Sequence, residues 1–403
     1  MKKKNAVATS ILVAALGYFV DIYDLILFSI VRIKSLKAIG IAGADLLSQG
    51  VFLLNMQMVG MLLGGILWGI WGDKKGRLSV LFGSIFLYSA ANIANAFVTS
   101  VPVYAALRLI AGIGLAGELG AGITLVSEVM PKETRGYGTM IVATIGILGA
   151  IMAALVGDLF DWRIAYLVGG GLGILLLFLR ISVYESGLFN EIKVRNVRRG
   201  HFSTLFRSRE NVIKYICCIC TGAPIWFVIG ILITFSPEFG KALRMPVVPE
   251  PGKAVMFAYL GLALGDFISG SLAQFLKSRK KIAKSFILLT GVFVATYLMN
   301  EEANLNVFYT NCFALGFAVG YWAVFVTIAS EQFGTNIRST VTTTVPNFVR
   351  GSLVPLTFAF QKLKTYFDVL GAAALVASAT LIIAFLSVSL LAETHGKDLN
   401  YVE

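Results

Sequence analysis

The sequence predicts an all-α membrane protein whose twelve transmembrane helices form two pseudo-symmetric bundles of six. Three observations predict this fold class. Hydrophobic residues make up 57% of the 403 residues and charged residues only 14%, whereas about 25% of the residues of a soluble domain are charged. Apolar runs of roughly 20 residues, the length that crosses a bilayer, recur along the chain. Short motifs are repeated about half a chain length apart, which indicates a duplicated unit.

The predicted helices follow one another with short connections. They cover residues 7–31, 46–72, 78–97, 101–129, 137–158, 163–183, 211–236, 253–277, 282–299, 305–332, 339–363 and 368–392. The first run follows three lysines, as a secretory signal does, but it is too long, holds two aspartates and lacks a small-residue cleavage site. We therefore interpret it as the first transmembrane helix.

The basic excess of the chain follows the predicted topology. The formal net charge is +12, a value that also suits nucleic-acid binding. With both termini in the cytoplasm, 22 of the 34 Lys and Arg residues lie in or beside cytoplasmic segments and 9 in or beside external ones. This is the positive-inside pattern. We therefore expect an integral protein of the bacterial inner membrane that binds no nucleic acid, and we expect a monomer.

An internal repeat divides the helices into six and six. The segment SEVMPKETRG (127–136) aligns with SEQFGTNIRS (330–339), and three identities are each 203 positions apart: Ser127 with Ser330, Glu128 with Glu331 and Arg135 with Arg338. Weaker matches set residues 69–77 against 270–281, and 184–187 near 392–396. We expect an N-terminal bundle over 1–183, a basic cytoplasmic linker over 184–210, and a C-terminal bundle with a short tail over 211–403.

Several motifs resemble those of a known family. The stretch Gly69-Ile-Trp-Gly-Asp73-Lys-Lys-Gly-Arg77 resembles the G-x-x-x-D-[RK]-x-G-R signature of the major facilitator superfamily. Further motifs resemble its sugar-porter and metabolite:proton-symporter branches: Arg108 through Gly-Glu118-Leu-Gly to Glu128 and Arg135-Gly, Asp161-Trp162-Arg163, Glu185-Ser186, Glu331 to Arg338, and Glu393-Thr-His-Gly. The resemblance covers the whole chain and implies the major facilitator fold.

The same resemblance implies a cytoplasmic latch. Asp73 can face the N-terminus of the eleventh helix, where free N–H groups favour negative charge, and Arg77 can pair with Glu128. In the second half Gln274 replaces the aspartate, so we expect Glu331 and Arg338 to form a weaker counterpart. Alternatively, the basic residues of this turn only fix the topology.

Nothing in the sequence indicates an enzyme. The stretch Gly112-Ile-Gly114-Leu-Ala-Gly117 matches G-x-G-x-x-G, but it follows no strand and lies in a membrane helix, where glycines let helices approach closely. The four cysteines all lie in predicted spans, which disfavours a disulfide framework or a zinc site. We expect no cofactor, no metal and no catalytic residue.

The charged residues inside predicted spans are the candidate functional groups, because charges within a membrane face the bundle interior and have partners. In the first half they are Asp21, Asp24, Arg108 and Glu118. The depth of Arg108 in the membrane makes it the expected partner of one of the two aspartates, in a purely structural ion pair or a functional one. We expect Asp24 to carry a proton. Glu118 is the other proton candidate, because no cation is evident at its depth.

In the second half the intramembrane charges are Asp266 and Arg350, which could pair with each other. Arg350 could instead hold an anionic substrate, beside Asn347 and the helix breakers Pro346 and Gly351. Five further residues are possible lining groups of the substrate site: Asn55, Gln57, Trp226, Tyr321 and Trp322.

The resemblance implies a secondary transporter that works by alternating access. We expect proton-coupled symport of a small polar metabolite, with a preference for an organic acid. A proton-driven efflux antiporter is an alternative, although the predicted fifth helix lacks the Gly-Pro motif of that group. A sugar or polyol carrier, a divalent-cation carrier using Asp21 and Asp24, and a non-transporting sensor are further alternatives.

Overall fold

The structure, a computed structural model, describes residues 2–43, 45–75, 77–118, 135–185 and 208–395, and this part of the chain is helical without a strand. The predicted fold class is confirmed. Most of the predicted linker, residues 184–210, lies outside the described ranges, so its boundaries stay a prediction. Five members of the predicted latch are likewise outside the described part. Glu128 lies outside it as a whole residue, and four others lie outside it as side chains: Asp73, Arg77, Arg135 and Arg338.

The helices match the predicted spans closely. In chain order they are α1 (Lys2–Ala38), α2 (Asp45–Lys75), α3 (Arg77–Asn95), α4 (Val101–Leu115), α5 (Arg135–Leu159), α6 (Trp162–Glu185), α7 (Arg209–Phe227), α8 (Ser236–Ala242), α9 (Pro251–Phe275), α10 (Arg279–Met299), α11 (Leu305–Ala318), α12 (Trp322–Glu331), α13 (Thr335–Gly351), α14 (Leu353–Leu363) and α15 (Val369–Leu390). Among the described residues, nine helical stretches are long and apolar enough to cross a membrane.

Three predicted spans are interrupted helices. The predicted span 305–332 consists of α11 and α12, which are separated at Val319–Tyr321. The predicted span 339–363 consists of α13 and α14, with Pro346 inside α13 and a break after Gly351. In the seventh span, α7 continues as a π-helix over Val228–Ile233, in which the Thr234 N–H bonds to the carbonyl five residues earlier. Such breaks in membrane helices are typical of functional sites.

Two bundles face each other through equivalent helices. In the first half, α1 packs on α5 and α6, and α2 packs on α4; in the second, α9 packs on α11 and α7 packs on α15. The largest contacts between the halves join α5 to α9 and α2 to α13. These are the fifth span of one half against the second span of the other, in both combinations. The interface therefore has the pseudo-two-fold symmetry that the repeat predicts.

Glycines set the distance between the paired helices. A Cβ atom at Gly112 of α4 would lie 2.1 Å from the carbonyl oxygen of Gln57 on α2. In the second half, a Cβ at Gly316 of α11 would lie 1.8 Å from the carbonyl oxygen of Ala258 on α9. The G-x-G-x-x-G stretch thus serves close helix packing, as the sequence predicts.

We expect Gly112→Ala to destabilise the protein by about 1–3 kcal/mol, because its methyl group would push α4 away from the α2 backbone. Thermal unfolding of the detergent-solubilised protein would measure the loss. Gly171→Ala on α6 is the matched control, because nothing lies within 4 Å of a Cβ at that position. Equal unfolding temperatures for the two variants would contradict the packing role of Gly112.

Candidate functional site

The two aspartates of α1 lie at the centre of the structure and point to different halves. Both side chains are buried. An Asp21 oxygen lies 3.5 Å from Nη2 of Arg350, which belongs to α13 in the second half. Asp24, one turn further along α1, faces α6, where a Cβ at Gly169 would lie 2.2 Å from its Oδ1. One aspartate therefore joins the two bundles, and the other stays inside the first.

Arg108 lies on the Asp24 side of this centre. Its guanidinium donates a hydrogen bond to the side-chain oxygen of Gln57 and lies 4.7 Å from the centre of the Phe28 ring. Asp24 shares its surroundings with Arg108 and Asn92, but neither of its oxygens accepts a hydrogen bond within the described residues. Arg108 thus forms its hydrogen bond with a neutral amide, and Arg108 acts on Asp24 through its charge.

Arg350 occupies an aromatic setting at the contact between the halves. Its guanidinium lies 5.7 Å from the Trp322 ring centre, and Tyr18, one turn before Asp21, also faces it. None of the three guanidinium nitrogens makes a hydrogen bond within the described part of the chain. Guanidinium groups bind carboxylates through two parallel hydrogen bonds. Arg350 is therefore a buried cation with donors available for an anion.

The alternative that Asp266 pairs with Arg350 is wrong, because Asp266 lies at a helix terminus. Its Oδ1 accepts the backbone N–H of Ala323, at 3.1 Å, in the first turn of α12. The free N–H groups and the dipole of a helix N-terminus stabilise a negative charge there. The break between α11 and α12 creates this terminus inside the bundle, and the carboxylate stabilises it.

The expectation that no cation lies at the depth of Glu118 is also wrong. Arg180 of α6 donates two hydrogen bonds to the Glu118 carboxylate, and both side chains are buried. Gly17 of α1 leaves the room for this pair, because a Cβ there would lie 2.2 Å from both charged groups. Glu118 therefore has a cation of its own, distinct from Arg350.

Most of the remaining predicted lining groups already have partners. Asn347 donates to the backbone oxygen of Ala116, at 2.8 Å, across the two halves. Asn55 accepts a hydrogen bond from Thr357, at 2.8 Å. The Tyr321 hydroxyl donates to the Thr221 carbonyl, at 3.0 Å. Trp226 is buried. These residues join helices, and Trp322 is the predicted aromatic residue beside the free donors of Arg350.

The sequence profile of the Major Facilitator Superfamily matches residues 6–354. The chain belongs to the major facilitator superfamily. It is therefore a transporter embedded in a membrane and not an enzyme.

Curated relatives of this transporter are bacterial metabolite carriers. A Haemophilus influenzae protein, provisionally named a metabolite transport protein, is 27% identical over 96% of each chain. The niacin transporter of Acinetobacter baylyi is 24% identical, over 82% of this chain and 81% of its own. The sialic acid transporter of Escherichia coli is 25% identical, over 70% and 69%.

A solved structure shares the fold of the transporter. The inward open conformation of the Escherichia coli xylose transporter superposes with a TM-score of 0.76, at 16% identity and with 98% of each chain covered. At this identity the match supports the fold alone.

An ion pair joins the two halves on the side where α1 ends and α2 begins, with Arg32 buried and Glu238 half-buried. Arg32 of α1 donates two hydrogen bonds to Glu238 of α8, at 2.7 and 2.8 Å, and packs over Phe235. One turn deeper, the Thr234 hydroxyl donates to Ser29, at 3.0 Å. The sequence analysis missed this ion pair because Arg32 lies one residue beyond the predicted span and Glu238 follows the seventh span. Their placement at the same end of the first helix of each half was the available signal.

On the opposite side, the second half contains its own ion pair. Glu331, at the end of α12, pairs with Arg279 at the start of α10. The predicted counterpart of the latch, Glu331 with Arg338, stays a prediction, because the side chain of Arg338 lies outside the described residues. Glu393 accepts the Arg279 and Lys280 N–H groups and the Ser278 hydroxyl at this helix start. Burial raises the pKa of Glu393, and these hydrogen bonds lower it by more, so the carboxylate is stabilised in its charged form.

We expect the Arg32–Glu238 pair to act as a gate and Glu238→Gln to loosen it, because the substitution removes the charge that partners the buried Arg32. A loss of roughly 1–3 kcal/mol would raise the population open on this side by about 5- to 150-fold. The labelling rate of Ser29→Cys by a maleimide reagent would measure this population. Glu250→Gln, from an exposed pair with Lys253, is the control. Equal labelling rates in the two backgrounds would contradict a gating role.

We expect Glu118→Gln to act mainly on stability. It leaves Arg180 buried without its anion, at a cost of roughly 3–5 kcal/mol. The double variant Glu118→Gln, Arg180→Met should recover most of this loss in a thermal unfolding assay. Glu210→Gln, from an exposed pair with Lys214, is the control. A stable single variant with an altered pH profile of transport would instead support the proton role predicted from the sequence.

Proposed function

We propose that this transporter takes up a small organic carboxylate together with a proton, by alternating access of its two halves. The observation that carries this proposal is Arg350. It is fully buried where α1 and α13 meet, its donors make no hydrogen bond within the described residues, and aromatic side chains flank it. A carboxylate that forms two hydrogen bonds to this guanidinium would span the contact between the halves.

The charges around the centre support coupling to a proton. Three carboxylates, of Asp21, Asp24 and Asp266, lie among two guanidinium groups, of Arg108 and Arg350. A bound anion would add another negative charge in a region of low dielectric, where unbalanced charge is costly. A proton taken up with the anion removes this cost, and Asp21 and Asp24 are the candidate acceptors.

The names of the relatives agree with an organic acid. Niacin and sialic acid, which name two of the relatives, both carry a carboxyl group. Since these proteins are about one-quarter identical to this chain, the shared feature we carry over is the charged group and not the molecule.

A sugar or polyol carrier is the second candidate. Recognition of neutral hydroxyl groups needs several free amide and hydroxyl partners, and Gln57 Nε2 and Asn347 Oδ1 are buried without a hydrogen bond within the described residues. We favour the carboxylate because neutral hydroxyl groups do not require the buried cation Arg350. The two buried arginines similarly oppose a divalent-cation site at Asp21 and Asp24.

We propose the orientation from the distribution of basic residues. The N-terminus and the α2–α3 turn lie on the cytoplasmic side of the inner membrane, so the Arg32–Glu238 gate closes the external side. The described structure is then closed to the outside. The predicted latch of Asp73, Arg77 and Glu128 would close the cytoplasmic side in the opposite state.

Uptake into proteoliposomes tests the function. Nicotinate and its neutral amide analogue nicotinamide form a matched pair, and gluconate and xylose extend the panel to a non-aromatic acid and a sugar. We expect an inward proton gradient to drive accumulation of an acid and not of its amide. Arg350→Gln should lower kcat/KM for the acid by roughly 10–100-fold, since a charge-assisted hydrogen bond contributes about 1.5–3 kcal/mol.

Arg244→Gln is the matched control, because Arg244 is exposed on the loop after α8. Gradient-driven uptake of xylose or nicotinamide in place of the acids would contradict the proposal. Acid uptake that persists unchanged in Arg350→Gln would show that the anion binds elsewhere.

A further inference from the structure

The central ion pair differs from two other ion pairs of buried arginines, Arg32 with Glu238 and Arg180 with Glu118. In each of those pairs the arginine donates two hydrogen bonds to its carboxylate. Between Asp21 and Arg350 the closest approach is 3.5 Å, and neither charged group makes a hydrogen bond within the described residues. The central pair is held by charge, and both groups retain their hydrogen-bonding capacity.

We propose that Asp21 and the carboxylate of the substrate compete for Arg350, so that the anion binds when a proton has neutralised Asp21. This inference rests on the proposed function and adds to it the residue that carries the coupled proton. It replaces Asp24, which the sequence analysis favours for that role.

The competition follows from the cost of buried charge. A guanidinium that loses its counter-charge inside a protein costs several kcal/mol, so Arg350 needs one anion in each state of the cycle. Two carboxylates against one guanidinium leave one negative charge unbalanced, and repulsion between them favours protonation of one. The substrate arrives from water as an anion, so the resident Asp21 is the group that takes the proton.

The neighbours of Asp21 single it out among the buried acids. The charged and titratable groups around it are Tyr18 and Asp24 on α1, Tyr88 on α3, Glu118 after α4, Tyr259 on α9 and Arg350 on α13. Glu118 has Arg180 as its own cation, and Asp24 lies on the Arg108 side. Asp21 is the acid whose cation is the same group that a substrate carboxylate requires.

Asp24 is placed differently and serves as the internal comparison. It faces α6 at Gly169 and lies beside Asn92 of α3, so first-half helices surround it. Asp24 interacts electrostatically with Asp21 and Arg108, and a substrate bound to Arg350 would not compete for the cation beside Asp24. The charge of Asp24 can affect the electrostatics of the first half, but the exchange of anions at Arg350 does not require Asp24 to gain a proton.

The exchange balances charge in each step. In the empty carrier, ionised Asp21 neutralises Arg350. In the loaded carrier, the substrate carboxylate neutralises Arg350, and Asp21 holds one proton. Release of the anion returns Asp21 to Arg350, and its proton leaves on the same side. The predicted stoichiometry is one proton per carboxylate, so transport of a monocarboxylate is electroneutral.

Calorimetric titration of the purified transporter with nicotinate, in buffers of different ionisation enthalpy, would count the protons taken up on binding. We expect about one proton for the wild type and for Asp24→Asn, and close to none for Asp21→Asn. The Kd of the wild type should rise about tenfold per pH unit above the ionisation of Asp21, whereas that of Asp21→Asn should change less than about twofold. One proton taken up by Asp21→Asn would overturn the inference.

Infrared difference spectra provide a test that does not depend on the folding of Asp21→Asn. Nicotinate binding should produce the C=O band of a protonated carboxyl group, and Asp21→Glu should shift this band while Asp24→Glu leaves it unchanged. A band shifted by Asp24→Glu alone would assign the proton to Asp24 and overturn the inference. Nicotinate binding without proton uptake would refute the exchange and leave carboxylate binding intact. No binding of nicotinate or gluconate to the wild type would reject the proposed function itself.

Discussion

The ion pair between Asp21 and Arg350 is the interaction on which the centre of this transporter depends. It joins α1 of the first bundle to α13 of the second, where both charges are removed from water. Burial makes each charge costly without the other, so the pair holds the two halves in a defined relation. Because its hydrogen-bonding groups remain available, a ligand of the right charge can replace one partner.

Close helix packing gives that pair its fixed position. Glycines on α4 and α11 bring their backbones against α2 and α9, and Gly17 and Gly169 leave room for charged groups beside α1. Lipid provides no hydrophobic driving force between membrane helices, so their association depends on the close packing that small residues allow. Helix pairs pack closely inside each bundle, and the second bundle also contains broken helices, where α12 follows α11 and α14 follows α13. Closely packed bundles with broken helices suit two bodies that rock against each other.

Much of the fold could be predicted from the sequence because hydrophobic length and internal repetition are local signals. Within the described residues the helices agree with the predicted spans, although only part of the span 101–129 is described. The 203-residue repeat agrees with the two contacts between the halves, of α2 with α13 and of α5 with α9. The partners of the buried charges were harder to predict. Depth alone placed Glu118 without a cation, yet Arg180 reaches it from α6, because depth gives no information on rotation about a helix axis. Asp266 lies against a helix terminus that exists only because α11 and α12 separate. The pairing of Asp21 with Arg350 depends on how two bundles meet, which is a property of the assembled fold.

The π-helix at Val228–Ile233 has a consequence for the geometry of the proposed Arg32–Glu238 gate. A π-turn holds one residue more than an α-turn, so everything beyond it is rotated by about 100° relative to a regular helix. Ser29 and Arg32 meet Thr234 and Glu238 beyond this turn. The rotation of Glu238 about its helix axis, relative to α1, thus depends on one additional residue that carries neither of the two charges. A one-residue deletion inside Val228–Ile233 would convert the segment to a regular helix and turn the carboxylate of Glu238 away from α1, without altering any group that forms the contact.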